Sequence, residues 1–142
     1  MSTLEKNKAL ARRYQEEVWG KGNLDLIDEL LAPDFTDHSL PETMNPGFAG
    51  ARQAVQGALD AFPNGVWTVE DLVAEGDRVA MRWKMQATHE HAFRGIAPVG
   101  KPVTVTGITI LRLADGKIVE RWVNWDALAL RLPSEPPTVG AV

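Results

Sequence analysis

The alternation of apolar and polar residues in the second half of the chain limits its possible folds more than any other feature. In "RVAMRWKMQATH", residues 78–89, alternate side chains from Val79 onward are apolar up to the final histidine, and most of the intervening ones are polar. This period of two is typical of a strand with one buried face. The other segments of strand-like composition are residues 66–75, 102–113 and 117–128. Together they predict an antiparallel meander of four strands.

Helical periodicity marks the first half of the chain. Ser2 with Glu5 three residues later fits a capping box, and apolar residues then recur at four-residue steps as far as Val18. A second, short helix is predicted within residues 23–35 and a third within residues 51–62. Helices followed by a long antiparallel sheet are typical of an α+β fold with the helices packed on one face. A strongly curved sheet closed by helices forms a cone whose interior is the predicted pocket.

The connections and the end of the chain complete this plan. A tight turn is predicted at Asp115-Gly116, whereas residues 90–101 form an irregular link, and we interpret residues 92–101 of it as a mobile flap over the pocket mouth. The last eleven residues hold three prolines and few apolar anchors. We therefore expect one domain over residues 1–131, followed by a flexible tail over residues 132–142.

Composition excludes several classes of function. The net charge is -4, from 15 Lys and Arg against 19 Asp and Glu, and no basic run is present, so nucleic acid is not an expected partner. The chain has no cysteine, which removes disulfides and thiolate metal ligands. Its first twenty residues mix both charges among apolar positions, unlike a signal peptide or a membrane span. A cytoplasmic protein with no membrane partner is expected.

The last strand, "KIVERWVNWDAL", carries a carboxylate among tryptophans. Neither of its faces is purely polar, and we assign Trp122, Asn124 and Asp126 to the inner face. A carboxylate withdrawn from water among indoles can give or take a proton near neutral pH, and the amide can orient it. The alternative is that Asp126 only terminates the strand by accepting hydrogen bonds from the backbone that follows.

Three segments together resemble the SnoaL-like polyketide cyclase family of the nuclear transport factor 2-like superfamily, over about residues 5–130. They are "NKALARRYQEEVWGKGNLDLIDELLAPDFTDH", "FPNGVWTVEDLVAEGDRVAMRW" and "THEHAFRGIAPVGKPVTVTGITILRLADGKIVERWVNWDAL". The resemblance implies a cone of three N-terminal helices on a strongly curved antiparallel sheet. It also implies aldol ring closure of a polyketide without metal or organic cofactor, in a protein that is often a homodimer.

The resemblance also suggests residue roles. The acid/base aspartate of the best-understood members maps onto Asp126. Ketosteroid isomerase, in the same superfamily, has its base after the second helix, where this chain has His38 or, as second choice, Asp37. An enolate formed by such a base needs a hydrogen-bond donor, for which His89 and His38 are candidates, and Asn124 could orient the aspartate or the substrate.

The predicted walls of the pocket are large apolar side chains that would hold a small apolar or aromatic carbonyl substrate. Trp and Met on alternating strand positions also form ordinary core, and the lone tyrosine fits core packing as well as ligand binding. The wall residues are Trp83, Trp122, Met81, Met85 and Phe93, with Tyr14 beside them.

Alternative functions stay open at this stage. A binding protein could use the same cone without chemistry. An epoxide hydrolase normally needs two carboxylates and an arginine inside the pocket, which Glu120 and Arg82 do not obviously supply. The spacing of His89 and His91 invites a metal site, but no carboxylate or cysteine at diagnostic spacing completes it, so no metal is predicted.

A homodimer through the outer face of the sheet is expected from apolar residues assigned to that face. These are Ile108, Ile110, Val123 and Trp125.

Overall fold

A computed structural model describes residues 2–41 and 44–131. The predicted flexible tail, residues 132–142, lies outside the described residues. The helices are α1 (Thr3–Arg13), continued by a π-helical segment (Tyr14–Gly20), α2 (Leu26–Leu30), α3 (Gly47–Ala61) and a final 3-10 turn (Ala127–Leu130). The strands are β1 (Leu31–Asp37), β2 (Val66–Glu75), β3 (Arg78–Thr88), β4 (Pro102–Ala114) and β5 (Lys117–Trp125).

The predicted fold class is confirmed: three helices pack on one face of a curved five-stranded sheet with the order β1-β5-β4-β3-β2. The four predicted strands form the antiparallel meander from β2 to β5. Asp115 and Gly116 both have positive φ, at 52° and 76°, as a two-residue type I′ hairpin requires. The inner face of β3 is buried as the alternation predicts, with Val79 and Met81 almost inaccessible.

The second predicted helix is present, and it stops before Pro33 as expected. It ends at Leu30, and the following residues form β1, an edge strand that pairs in parallel with β5. Pro33 has no backbone N–H to donate to a helix, whereas an edge strand with an irregular register tolerates it, and the pairing does shift between Leu31 and Thr36. This unpredicted strand brings Asp37 opposite Arg121 in the sheet.

The first helix is capped as predicted, since the Ser2 hydroxyl accepts a hydrogen bond from the Glu5 N–H at 3.1 Å. From Tyr14 its turns widen into the π-helical segment, in which the neighbours Val18 and Trp19 are both buried. In a regular α-helix, the stripe of apolar residues at four-residue steps would bury Val18 but not Trp19. The wider turns therefore add Trp19 to the interior, and such segments are frequent at functional sites.

Within residues 2–41 and 44–131, no helix has the length and apolar character needed to cross a membrane.

Candidate functional site

An aromatic cavity lies between the helices and the inner face of the sheet. Its apolar lining includes Trp19, Phe62, Trp67, Trp83, Met85, Phe93 and Trp125, and its polar end is formed by Ser39, Arg94 and Arg121. The free space is about 50 Å³, whereas pockets for drug-sized ligands hold roughly 300–1,000 Å³. A bicyclic ligand therefore fits only when the walls move apart.

The link over residues 90–101 supplies part of one wall. Phe93 and Arg94 line the cavity, and a backbone bridge between Phe93 and Ile96 shapes the link there. Phe93 packs edge-on against Phe62 and Trp125, with ring centroids 5.2 Å and 5.5 Å apart. The position agrees with a flap, and its predicted mobility stays a prediction.

The face assignment of β5 is wrong and has to be reversed. Arg121, Val123 and Trp125 line the cavity, whereas Asn124 and Asp126 are exposed. The inner face holds Ile118, Val123 and Trp125 beside its arginine, because the pairing with β4 shifts between Arg112 and Leu113, so it is the more apolar of the two. The arginine is tolerated inside because β1 supplies a carboxylate for it. The catalytic role predicted for Asp126 depended on the inward orientation, and the substrate-binding role predicted for Asn124 did as well.

A buried ion pair joins β1 and β5 at the polar end of the cavity. The Arg121 Nη1 donates to Asp37 Oδ2 at 2.7 Å, and the two side chains are 6% and 4% exposed. The other carboxylate oxygen accepts hydrogen bonds from the backbone N–H and the hydroxyl of Ser39. The Arg121 guanidinium also lies over the Trp19 ring, 4.5 Å from its centroid. Asp37 therefore does not line the cavity itself, but it is hydrogen-bonded to Ser39 and Arg121, which do.

Two buried donors at the cavity have no acceptor among the described residues. They are the Nε–H of Arg121 and the indole Nε1–H of Trp19. The indole is near enough to the Tyr14 hydroxyl to lower the pKa of that group, but it does not complete a hydrogen bond of acceptable geometry. Buried donors without partners are costly, so a ligand oxygen at this end of the cavity would be stabilised.

Tyr14 lies beside the ion pair, buried in the core as one of the two alternatives predicted. Burial raises the pKa of its hydroxyl to about 12, the Arg121 charge opposes that rise, and the Asp37 charge adds to it. The phenol therefore stays protonated, as a donor, throughout the neutral range.

Tyr14→Phe is expected to make the protein more resistant to alkaline unfolding. Between pH 10 and about 12 the unfolded chain releases the phenolic proton and the folded chain retains it, so wild-type stability falls as pH rises through this window. In this window the wild-type free energy of unfolding falls by about 1.4 kcal/mol per pH unit. The Phe variant has no phenol to titrate, so its free energy of unfolding does not fall for this reason. Urea unfolding of both proteins across the window measures the difference. Because Tyr14 is the only tyrosine, tyrosinate absorbance follows the group directly; an ordinary titration near pH 10 in the folded state would contradict this prediction.

His38 does not face the cavity, contrary to its predicted role. Its side chain is 40% exposed, its Nε2 lies 2.7 Å from Glu120 Oε2, and its ring stacks on Trp122 at 4.9 Å. Hydrogen bonds from His38 and Arg112 lower the pKa of Glu120 on this outer surface. Trp122, predicted as a pocket wall, is likewise part of this outer cluster, with Arg78 over its ring at 5.1 Å. Adjacent strand residues point to opposite faces, so an outward His38 goes with an inward Asp37.

His89 is buried on the inner face, as predicted, but outside the cavity lining. It is 0% exposed, its ring lies 5.0 Å from that of Phe62, and neither ring nitrogen has a partner among the described residues. His89 therefore packs beside Phe62, which does line the cavity, without lining it itself. Of the predicted walls, Trp83, Met85 and Phe93 line the cavity, and Met81 belongs to the core under the helices.

Sequence reasoning missed the polar end of the site. Arg121 was assigned to the outer face of the sheet, and neither Arg94 nor Ser39 was considered. The available signal was the greater apolar content of the Arg121 face of β5. Within the described part of the chain, no group of three or more His, Cys, Asp or Glu side chains is placed to hold a metal ion.

Fold and site together define a nuclear transport factor 2-like cone with an aromatic cavity between its helices and its sheet. The SnoaL-like polyketide cyclase family model matches residues 9–132, and the chain belongs to this family. The comparison with curated proteins finds no significant match.

Solved structures of similar chains agree with this assignment. A "putative polyketide cyclase" from Acidithiobacillus ferrooxidans is 29% identical, with a TM-score of 0.77 and 92% and 95% of the two chains covered. AclR, a "putative hydroxylase" from Streptomyces galilaeus, is 31% identical, with a TM-score of 0.75 and 92% and 100% covered. IdmH, a "putative polyketide cyclase" from Streptomyces antibioticus, is 30% identical, with a TM-score of 0.71 and 92% and 96% covered.

Proposed function

We propose that this chain is an acid/base enzyme that works without a cofactor and closes a ring of a small, polyketide-like carbonyl compound by an aldol-type reaction. The observation that carries the proposal is the buried Asp37–Arg121 pair at the polar end of an aromatic cavity. Proton abstraction next to a carbonyl needs a base, a donor for the enolate oxygen and a site that excludes water. The names of the similar structures include cyclases, which supports the same class of reaction.

The proposed proton carrier is Asp37, acting through Ser39. The Ser39 hydroxyl lines the cavity and donates to the carboxylate. The substrate's α proton passes to the Ser39 oxygen while the Ser39 proton passes to Asp37, which leaves an enolate. The enolate carbon then attacks the second carbonyl, and the new alkoxide regains a proton from Asp37 by the reverse path. No net proton is consumed.

Arg121 is the proposed oxyanion donor. One of its nitrogens is fixed by Asp37, and its Nε–H has no partner among the described residues. A donor held in place before the reaction stabilises charge that develops on the substrate carbonyl oxygen, because little reorganisation is then needed. The surrounding tryptophan and phenylalanine rings would pack against a planar substrate and exclude water from it.

The proposal is tested without the natural substrate by hydrogen–deuterium exchange. Wild-type protein is incubated with 2-tetralone in heavy water, and loss of the α-proton signals is followed by NMR. Catalysed exchange above the buffer rate supports an enolising site. Exchange that is no faster than in buffer, with bound 2-tetralone demonstrated, would exclude enolisation of this ketone. The Ser39→Ala variant tests the relay: a lowered rate supports proton transfer through Ser39, and an unchanged rate excludes it.

A binding protein without chemistry is the first alternative. It predicts that 2-tetralone binds, as seen by quenching of tryptophan fluorescence, and that exchange stays at the buffer rate in wild type and variants alike.

An epoxide hydrolase is the second alternative, and the structure makes it more plausible than the sequence does. The arginine and one carboxylate that such an enzyme needs are both present, as Arg121 and Asp37, instead of Arg82 and Glu120. No carboxylate lines the cavity in the described part of the chain, however, and the second one is therefore lacking there. Formation of a diol from styrene oxide, dependent on Asp37, would favour this alternative.

A homodimer through the outer face of the sheet is also proposed. Ile108 and Ile110 lie on that face and are 53% and 38% exposed, although Val123 and Trp125, predicted beside them, face the cavity. Ile108→Glu is expected to convert the dimer into monomer, because it places a charge in an apolar contact. Gel filtration with light scattering measures both proteins, and Gln86→Glu, at another exposed position on the same face of the sheet, is the control. A wild-type monomer would contradict the proposal.

A further inference from the structure

The arginines that line the cavity carry more positive charge than the one neighbouring carboxylate, Asp37, neutralises. Arg121 is paired with Asp37, and Arg94, which also lines the cavity, has no ion-pair partner among residues 2–41 and 44–131. No Asp or Glu contributes to the lining itself in that part of the chain. Two guanidinium groups against one carboxylate leave a net charge of about +1 at a largely apolar site. Because Arg94 is only half-buried, water solvates part of this charge until a ligand displaces the water, and a ligand with its own negative charge would then be favoured.

The pKa of Arg94 is changed by this environment. It is half-buried, and burial lowers its pKa, with the Arg121 charge lowering it further and the Asp37 charge opposing. These charges act on one another because the three groups lie at the same end of the cavity. Its guanidinium lies 5.4 Å from the Phe93 ring centroid, so an aromatic surface adjoins the unpaired charge. The local chemistry therefore suits an anion attached to a flat apolar body.

The enolisation proposed above does not use this charge. Proton transfer moves one negative charge from Asp37 to the substrate and leaves the total within the cavity unchanged. A neutral ketone would thus leave the surplus uncompensated at every step. The Trp19 indole N–H, which also has no acceptor among the residues that the structure describes, offers a further donor to a ligand with several oxygens.

We infer that the substrate is an apolar acid with two carbonyl groups, whose enolised carbonyl lies at Arg121 and whose carboxylate lies at Arg94. This inference rests on the proposed function for the carbonyl end, and on the charge of the cavity for the carboxylate end. The carboxylate supplies the counter-ion that Arg94 lacks. The carbonyl and carboxylate oxygens together supply acceptors for the unpaired N–H groups.

The test compares 2-naphthoate with 2-naphthamide, which share their ring and shape and differ in charge. Binding is measured by calorimetry at one fixed salt concentration. Wild-type protein is expected to bind the acid about tenfold more tightly than the amide. Arg94→Met is expected to remove that preference, because it weakens the binding of the acid and leaves the binding of the amide unchanged. Arg94→Lys is expected to retain the preference. Arg82→Met is the matched control, because it removes the same charge from an exposed pair on the outer face.

Equal affinities for acid and amide, no binding of the acid, or a preference that persists in Arg94→Met would each overturn the inference. Circular dichroism shows that each variant is folded before binding is measured. Since no step of this experiment involves catalysis, its failure is distinct from failure of the proposed function. If deuterium exchange depends on Asp37 while acid and amide bind equally, the enzyme is as proposed and its substrate is not an acid.

Discussion

Asp37→Asn is expected to lower the rate of α-hydrogen exchange by about 10²–10⁴-fold, the usual contribution of a positioned general base. The amide keeps the shape of the side chain and can still accept a hydrogen bond from Arg121, but it cannot take up the substrate proton. The measurement is the exchange rate of 2-tetralone by NMR, at protein concentrations where the variant is shown to be folded. An unchanged rate would remove Asp37 from the mechanism.

The same change is expected to lower the free energy of unfolding, because it breaks a buried ion pair and leaves the Arg121 charge without its carboxylate. Removing one partner of such a pair typically costs about 3–5 kcal/mol. Asp37→Glu separates the two effects, since it retains the charge and displaces the carboxylate by one methylene group. We expect Asp37→Glu to unfold closer to wild type while exchange is still slowed. Asp34→Asn is the matched control, because Asp34 lies on the same strand with an exposed side chain.

Asp126→Asn distinguishes the hypothesis based on sequence from the one based on structure. If the carboxylate of the last strand is the proton carrier, this variant loses exchange and Asp37→Asn retains it. If Asp37 is the proton carrier, Asp37→Asn loses exchange and Asp126→Asn retains it. Asp126 is exposed at the start of the final 3-10 turn, where its side chain makes no capping hydrogen bond. We therefore expect the second outcome.

The sequence was sufficient for the elements whose patterns are local. Ser2 and Glu5 define the start of the first helix, and the alternation from Val79 to Met85 defines the buried face of β3. Both signals depend on neighbours within a few residues. The resemblance to a known family then supplied the way in which these elements pack, which periodicity alone does not give.

The polar end of the site could not be predicted because it depends on a contact between distant residues. Asp37 and Arg121 are 84 positions apart, and each is unfavourable in the interior without the other. As no strand was predicted at residues 31–37, nothing indicated a carboxylate opposite Arg121, and the face of β5 that carries an arginine was assigned to the outer side of the sheet. The choice of His38 before Asp37 failed for the same reason, since the alternation of β1 decides which of the two points inward.

Gly107→Ala is expected to disturb both the fold and the cavity. Gly107 lies on the inner face of β4, opposite Trp83 on one neighbouring strand and Trp125 on the other. A Cβ at this position would overlap the Trp83 indole. That ring cannot swing aside freely, because its Nε1–H donates to Thr109 Oγ1 at 2.9 Å and it packs on Trp67 at 5.4 Å. Trp83 must shift, and since it lines the cavity, the walls shift with it.

Overpacking of this kind costs about 1–3 kcal/mol, and urea unfolding followed by circular dichroism measures it. Displacement of Trp83 would also change tryptophan fluorescence in the folded state and weaken the binding of 2-naphthoate. Gly57→Ala provides the matched control, because Gly57 is exposed within α3 and an added Cβ meets nothing within 4 Å. That variant is expected to gain about 0.5–1 kcal/mol from the better helix propensity of alanine, with binding unchanged. Equal stability of the two variants would mean that Gly107 does not provide the space that holds Trp83 in the cavity wall.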